Sequence, residues 1–276
     1  MVHLSALFIY PVKSLRGISV RVADLDALGL VNDRRFMIVD QSGHFLSQRT
    51  LPRMALIATE LSTTDLILRS SACSGCQIPL HEGTGTEVQE VEVSVWKHDR
   101  LKAEDCGASA SAWLSDFLGV ACRLVRIGKA FARPHFTPRS LNEHRLSFVD
   151  GCPMLLVSEA SLDGLNDRLL ASGEETIPMN RFRPNLVISG CAEFEEDSWP
   201  RLKIGSATFH AGGPCDRCVV TTTDQSTGER GPEPLRTMAR YRRDPVVSTR
   251  INFGQNLIHQ THAGSLYVGD VVSVLR

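Results

Sequence analysis

Two things are scarce in this chain: net charge of either sign, and apolar runs long enough to cross a bilayer. Its 30 Lys and Arg balance 31 Asp and Glu to a formal net charge of -1. That balance removes any global electrostatic case for nucleic acid or an anionic membrane as a partner, and makes any anion site a local one. The longest apolar run near the start, Leu4 to Val12, is interrupted by Pro11 and is too short to span a membrane. It also lacks the basic leader and small-residue cleavage site of a secretory signal. A cytoplasmic chain is expected, and its eight cysteines are then judged in a reducing compartment, where structural disulfides are rare.

Several motifs are missing as well. Neither a G-x-S-x-G elbow nor an H-E-x-x-H pair occurs, and no three cysteines show the C-x₄-C-x₂-C or C-x₂-C-x₂-C spacing of iron-sulfur clusters. Gly83-Thr84-Gly85-Thr86 lacks the third glycine of a dinucleotide loop and leads into a strand instead of a helix. The acidic residues within Thr86 to Glu92 read as a solvated strand face. The nine histidines show no ligand spacing, and His259 and His262 are expected at the surface. No internal repeat or low-complexity segment is present.

What is present is mostly β. Short β-branched and aromatic runs fill the first hundred positions: His3 to Tyr10, Ile18 to Leu25, Arg35 to Asp40, Met54 to Leu61, Leu66 to Leu68 and Val88 to Val95. Ser42-Gly43 suggests a hairpin turn. Ala112, Trp113, Phe117 and Leu118 mark a helix over Ala108 to Leu118, closed by Gly119. The basic stretch Gly128 to Arg145, with Pro134 and Pro138, reads as a crossing between two domains, 1–127 and 128–276. Beyond it come a strand ending near Val157, a helix over Ala160 to Leu170 capped by Ser158, and a strand over Asn185 to Ser189. Strands at Leu202 to Phe209 and Val219 to Thr223 follow, then a helix near Leu235 to Tyr241 and strands at Ile251 to His259 and Val268 to Leu275. The 276 residues suffice for one large core or two modest ones.

The strongest local signal is Gly212-Gly213-Pro214-Cys215-Asp216-Arg217-Cys218, followed by Val219-Val220-Thr221-Thr222-Thr223-Asp224. A glycine-rich turn here delivers two cysteines to a strand mouth, and Arg217 beside Cys218 favours the thiolate that ligates metals or attacks electrophiles. By spacing alone the pair is equally half a zinc site, a dithiol redox couple or two buried thiols. A four-cysteine zinc site shared with Cys73 and Cys76 has no support from context, which makes those two incidental thiols of a surface hairpin. A dispersed cationic set adds to the signal. It comprises Lys13, Ser14 and Arg16, then Asp33-Arg34-Arg35-Phe36, then Arg181-Phe182-Arg183-Pro184-Asn185. Each places a cation at a strand edge, where it serves a phosphate or an ordinary salt bridge.

Together, Tyr10 to Gly17, Asp33 to Phe36, Asp105-Cys106-Gly107, Phe182 to Asn185, Cys215 to Asp224 and Phe253-Gly254-Gln255-Asn256 resemble the MOSC-domain proteins, in the same order over nearly the whole length. Within that group the likeness is to the mitochondrial amidoxime-reducing component and its bacterial relatives. The resemblance implies a mainly β protein with some α (α+β): an N-terminal β-barrel domain, then a MOSC β-barrel domain with flanking helices. It implies a molybdenum-pterin cofactor (Mo-molybdopterin) with Cys218 as metal ligand and catalytic centre. It assigns cofactor contacts to Lys13, Ser14, Arg35 and Arg183, and further ones to Asp150, Gly151, Asn185, Asp216, Arg217 and Asn256.

The activity implied is reduction of small N-hydroxylated or N-oxide compounds. Mitochondrial members carry an N-terminal targeting segment and some bacterial members a ferredoxin domain, and this sequence shows neither. Electrons are therefore expected from a separate ferredoxin-like or cytochrome-like donor with its reductase. Two rival readings remain: a sulfur carrier or cofactor-transfer protein working through a Cys218 persulfide, and a non-catalytic metal module built on Cys215 and Cys218.

Overall fold

The computed structural model describes residues 1–71, 73–81, 89–135 and 144–275. The Gly83-Gly85 pair, the Thr86–Val88 part of the acidic run and residues 136–143 of the basic crossing, Pro138 included, lie outside the described residues.

An eight-stranded sheet organises the molecule. Its order is Ile18–Val20, His3–Ile9, Leu186–Ser189, Met154–Ser158, Asn252–His259, Ala207–Asp216, Arg201–Ile204 and Val272–Leu275. The first strand of the chain therefore pairs antiparallel with Leu186–Ser189 from the later half. Met154–Ser158 is buried at every position because both of its faces are covered. Met154 and Leu156 enter one core with Leu4, Leu186 and Phe209, while Leu155 and Val157 enter another with Leu165, Phe182 and Phe253. A strand with two buried faces reads as a continuous apolar run, which is what Met-Leu-Leu-Val supplies. Gly254 runs beside it at φ +78°, where a Cβ would sit 2.7 Å from the Leu156 carbonyl oxygen, so only glycine fits.

The N-terminal part places a four-stranded sheet (Phe36–Asp40, Cys122–Arg126, His98–Asp105, Glu90–Val95) against a three-stranded one (Ala58–Leu61, Asp65–Arg69, Cys76–Pro79). Phe36, Ile38 and Leu124 from the first meet Leu66, Leu68 and Ile78 from the second in one core. Helix α1 (Ala108–Leu118) closes that core with Leu114, Phe117 and Leu118 and ends at Gly119 in the left-handed conformation. The sheets are barrel-like in packing, and their ladders do not close into a ring among the described residues. The class is α+β, dominated by strands. No helix among the described residues is long and apolar enough to cross a membrane.

Three expectations are corrected. Met54 to Leu61 begins as a 3-10 helix over Pro52–Leu56, because Pro52 at its first turn has no N–H to give a ladder, and only Ala58–Leu61 is strand. Val219–Thr222 is likewise a 3-10 helix: the Thr221 and Thr222 hydroxyls donate to the carbonyls of Cys218 (3.0 Å) and Val219 (2.8 Å), local bonds that override β-branched preference. His259 is fully buried, its Nε2 2.9 Å from the Asp26 carbonyl oxygen.

Helix α2 (Glu159–Ala171) connects the parallel pair Met154–Ser158 and Leu186–Ser189. Ser158 Oγ caps it by accepting from Ser161 N at 3.0 Å. Below the cap lies Glu196, fully buried, whose Oε1 accepts from Ser158 N (3.2 Å) and Ser161 Oγ (2.8 Å). Burial pushes this carboxyl up, against the pull of those hydrogen bonds. The folded chain thus holds the proton more readily than the unfolded chain. The stability contribution is complete below the ordinary Glu pKa and is lost as pH rises through the raised value. Glu196→Gln is expected to abolish this loss, so urea denaturation should show the variant gaining on the parent between about pH 5 and pH 8. A difference that stays constant across that range would contradict the assignment.

Candidate cofactor cleft

Loops from both parts of the chain converge on a cleft of about 480 Å³. Of the predicted site residues it is lined by Lys13, Ser14, Asp150, Gly151, Arg183, Asn185, Asp216, Arg217, Cys218 and Asn256. Arg35 is elsewhere. Its Nη2 donates to both carboxylate oxygens of Asp26 (2.7 and 2.9 Å) and to the Leu30 carbonyl (3.1 Å). Successive side chains at a strand entrance point to opposite faces, so of two adjacent arginines one faces the cleft. That one is Arg34, which donates to Asp33 Oδ2 (2.6 Å) and Asn185 Oδ1 (2.8 Å).

Arg34 and Arg183 lie over the Tyr10 ring, with their guanidinium carbons 4.2 and 4.4 Å from its centroid. The Tyr10 hydroxyl donates to the Pro184 carbonyl at 3.1 Å. Burial pushes the phenol up to about 12, although both guanidiniums oppose the shift. Burial also brings Arg183 down to about 10. Among the described residues the Arg183 guanidinium has an aromatic contact and no hydrogen-bond acceptor or carboxylate partner. Among the described residues, four of the seven non-glycine residues with positive φ line this cleft: Ser14 (67°), Arg34 (49°), Trp96 (57°) and Arg183 (55°). Strain of this kind persists where surrounding structure over-determines it, and it gathers at functional sites.

Lys13 is a further buried cation of the cleft, 5% exposed. Its Nζ donates to the Phe148 carbonyl at 2.9 Å and to the Asp150 carboxylate, which also accepts from Trp96 Nε1 at 3.1 Å. The Asp150 side chain keeps 67% of its surface exposed, and the adjoining Lys13 ammonium holds its carboxyl well below the usual carboxylate range. Asn185 is a brace: it accepts from Arg34 and from Leu155 N (3.3 Å) and donates to the Phe8 carbonyl (3.1 Å). Asn256 donates to the Pro214 carbonyl (3.2 Å), and Asp216 accepts from Ile251 N (3.2 Å).

The cysteine pair ends strand Ala207–Asp216 and opens the 3-10 helix, with Cys218 at its N-cap in extended backbone and its thiol not used for capping. Arg217 is aimed differently from the sequence expectation. Its Nη1 donates to Cys215 Sγ at 3.1 Å and its Nη2 to the Phe182 carbonyl at 2.6 Å, so the guanidinium serves Cys215. A third thiol, Cys152, also lines the cleft. Burial pushes it up to about 12, and a Cβ on Gly212 would lie 2.9 Å from its sulfur. Sequence reading missed Cys152, Trp96, Phe45 and Arg49, because no spacing links them to one another. Cys73 and Cys76 pack with the α1 core, away from this cleft. Among the described residues no group of three or more His, Cys, Asp or Glu gathers to hold a metal.

This donor set fits a soft metal attached to an anionic organic group. The Cys218 thiol offers a soft sulfur that makes no capping bond, Arg183 has its N–H donors uncommitted, and the buried Arg217 Nε has no partner. A strand-rich two-part fold with a thiol at a strand end inside a cationic cleft defines a class, and the chain belongs to it: the MOSC proteins carrying an N-terminal barrel domain. Residues 1–121 match the MOSC N-terminal beta barrel domain, and residues 143–273 match the MOSC domain.

Among individual proteins, the chain is similar to mitochondrial amidoxime-reducing component 1 of Mus musculus. The two are 33% identical over 291 residues, covering 99% of this chain and 82% of that protein. Mitochondrial amidoxime reducing component 2 of Bos taurus is 34% identical, covering 98% and 82%. Molybdenum cofactor sulfurase of Danio rerio is 35% identical over 276 residues, covering 96% of this chain and 33% of that protein.

Proposed function

We propose that the chain is a molybdenum-cofactor-dependent oxidoreductase that reduces small N-hydroxylated or N-oxide compounds, taking electrons from a separate ferredoxin-like or cytochrome-like carrier with its reductase. The observation that carries this reading is the Cys218 thiol in the same cleft as the acceptor-free Arg183 guanidinium. Both groups of relatives support it, one named for amidoxime reduction and the other for the molybdenum cofactor.

Cys218 would be the protein's sulfur ligand to the metal. Arg183 and Arg34, held over Tyr10, would bind the anionic and planar parts of the cofactor, and Ser14 would add a hydroxyl donor. When bound, the cofactor supplies two-electron oxygen-atom chemistry. The net change is an N–OH compound plus two electrons and two protons giving N–H and water. The chain contributes orientation: the Lys13–Asp150–Trp96 network and the Asn185 brace fix the walls before substrate arrives.

The test is to produce the protein in a host that makes the cofactor, measure molybdenum and pterin per chain, and assay benzamidoxime reduction with a reduced viologen dye. About one molybdenum per chain and dye oxidation coupled to amidine formation are expected. A folded, metal-free and active preparation would refute the reading. Cys152 and Cys215 beside Cys218 favour the sulfur-carrier alternative, and persulfide on Cys218 without amidoxime turnover would select it.

A further inference from the structure

The cleft holds a fourth guanidinium that the cofactor reading leaves unused. Arg34 and Arg183 lie on Tyr10 and Arg217 lies near Phe182, whereas Arg49 lies on the face of Trp96, its guanidinium carbon 4.4 Å from the ring centroid. Trp96 sits between strands Glu90–Val95 and His98–Asp105 at φ +57°, an unusual conformation for so bulky a residue. Its ring is fixed by the Nε1 bond to Asp150 (3.1 Å) and by an edge contact to Phe45 (4.8 Å), yet 40% of the residue stays exposed. Arg49 is fixed too. Its carbonyl accepts from Arg230 Nη1 (3.1 Å), its N–H donates to Ser47 Oγ (3.3 Å), and the preceding Gln48 exchanges amide bonds with Gln225 (3.1 and 3.0 Å). Among the described residues its guanidinium makes no hydrogen bond or close ion pair, and the nearby Asp150 carboxylate, already held by Lys13 and Trp96, feels its charge from a distance.

We propose that Arg49 and Trp96 form a substrate subsite that recognises a carboxylate on an aromatic N-hydroxylated compound. A guanidinium held over a ring by its central carbon keeps N–H groups for a further acceptor, and its fork matches the two oxygens of a carboxylate. The uncovered part of the indole beside it offers a stacking surface for a planar ring. An aryl carboxylate meets both groups, and a tetrahedral phosphate meets one. This subsite deepens the reductase reading and rests on it for the identity of the reacting group.

The experiment is calorimetric titration of protein from a cofactor-producing host, with no electron donor present, using 4-carboxybenzamidoxime and unsubstituted benzamidoxime. The carboxylated compound is expected to bind about tenfold tighter or better, and Arg49→Ala to bring the ratio of dissociation constants to about one. Trp96→Phe should keep most of the preference, and Trp96→Ala should lose it. Equal affinities in the parent protein overturn the subsite. Loss of molybdenum and pterin in Arg49→Ala also overturns it, because the guanidinium would then hold the cofactor. If the preference holds while neither compound is reduced when a donor is added, the reductase reading fails and the subsite stands.

Discussion

Cys218→Ser is expected to lower amidoxime reduction by about a thousandfold or more and to remove most of the molybdenum, with the fold intact. The thiol makes no capping bond and the residue is half-buried, so exchanging sulfur for oxygen costs little packing. What is lost is the soft thiolate, which a protonated hydroxyl does not replace. Cys215→Ser provides the contrast. Its sulfur accepts from Arg217 Nη1 at 3.1 Å, a bond that a serine oxygen also accepts, so its activity should stay within about tenfold of the parent. Metal content per folded chain, by elemental analysis and circular dichroism, reads the difference. If both variants lose metal equally, the cysteine pair acts as a chelate and Cys218 has no special role.

The second large effect is expected at a residue that lies behind the cleft lining. Arg133 is 2% exposed, and its guanidinium donates to the carbonyls of Ser147 (2.8 Å), Val149 (2.5 Å) and Asp150 (3.0 Å). Those three carbonyls belong to the loop whose Phe148 carbonyl and Asp150 carboxylate receive Lys13. Arg133→Met keeps most of the volume and strands the acceptors, with an expected loss of about 3–5 kcal/mol in denaturant unfolding. Arg133→Lys restores one or two of the bonds and should recover part of it. Because the loop also positions the cleft wall, cofactor content should fall with stability in the same order, Met below Lys below parent. A Met variant within about 1 kcal/mol of the parent would show that water satisfies the loop carbonyls just as well.

Sequence legibility followed how local the deciding forces are. Helix α1 runs over Ala108–Leu118 as the apolar stripe and Gly119 require, and Ser158 caps α2, because stripe, cap and stop signal lie within a few residues of one another. Val219–Thr222 ran against its β-branched composition because two threonine hydroxyls bonded backwards to the chain. The assignment of Arg35 in place of Arg34 failed for a related reason: neighbouring residues at a strand entrance share composition but not direction. His259 was placed outside because nothing nearby in sequence announces the Asp26 carbonyl, which is 233 residues away.

By itself, the order of residues along this chain established the mixed strand-rich class and the family, and it singled out the Cys215–Cys218 motif as the candidate site, since periodicity and short motifs act over a turn or a strand. Folding in three dimensions decided which arginine faces the cleft, which cysteine Arg217 serves, and that Trp96 and Arg49 join the wall. Those outcomes depend on contacts between segments separated by tens to hundreds of positions, where side-chain direction and burial, absent from any linear pattern, settle the partner.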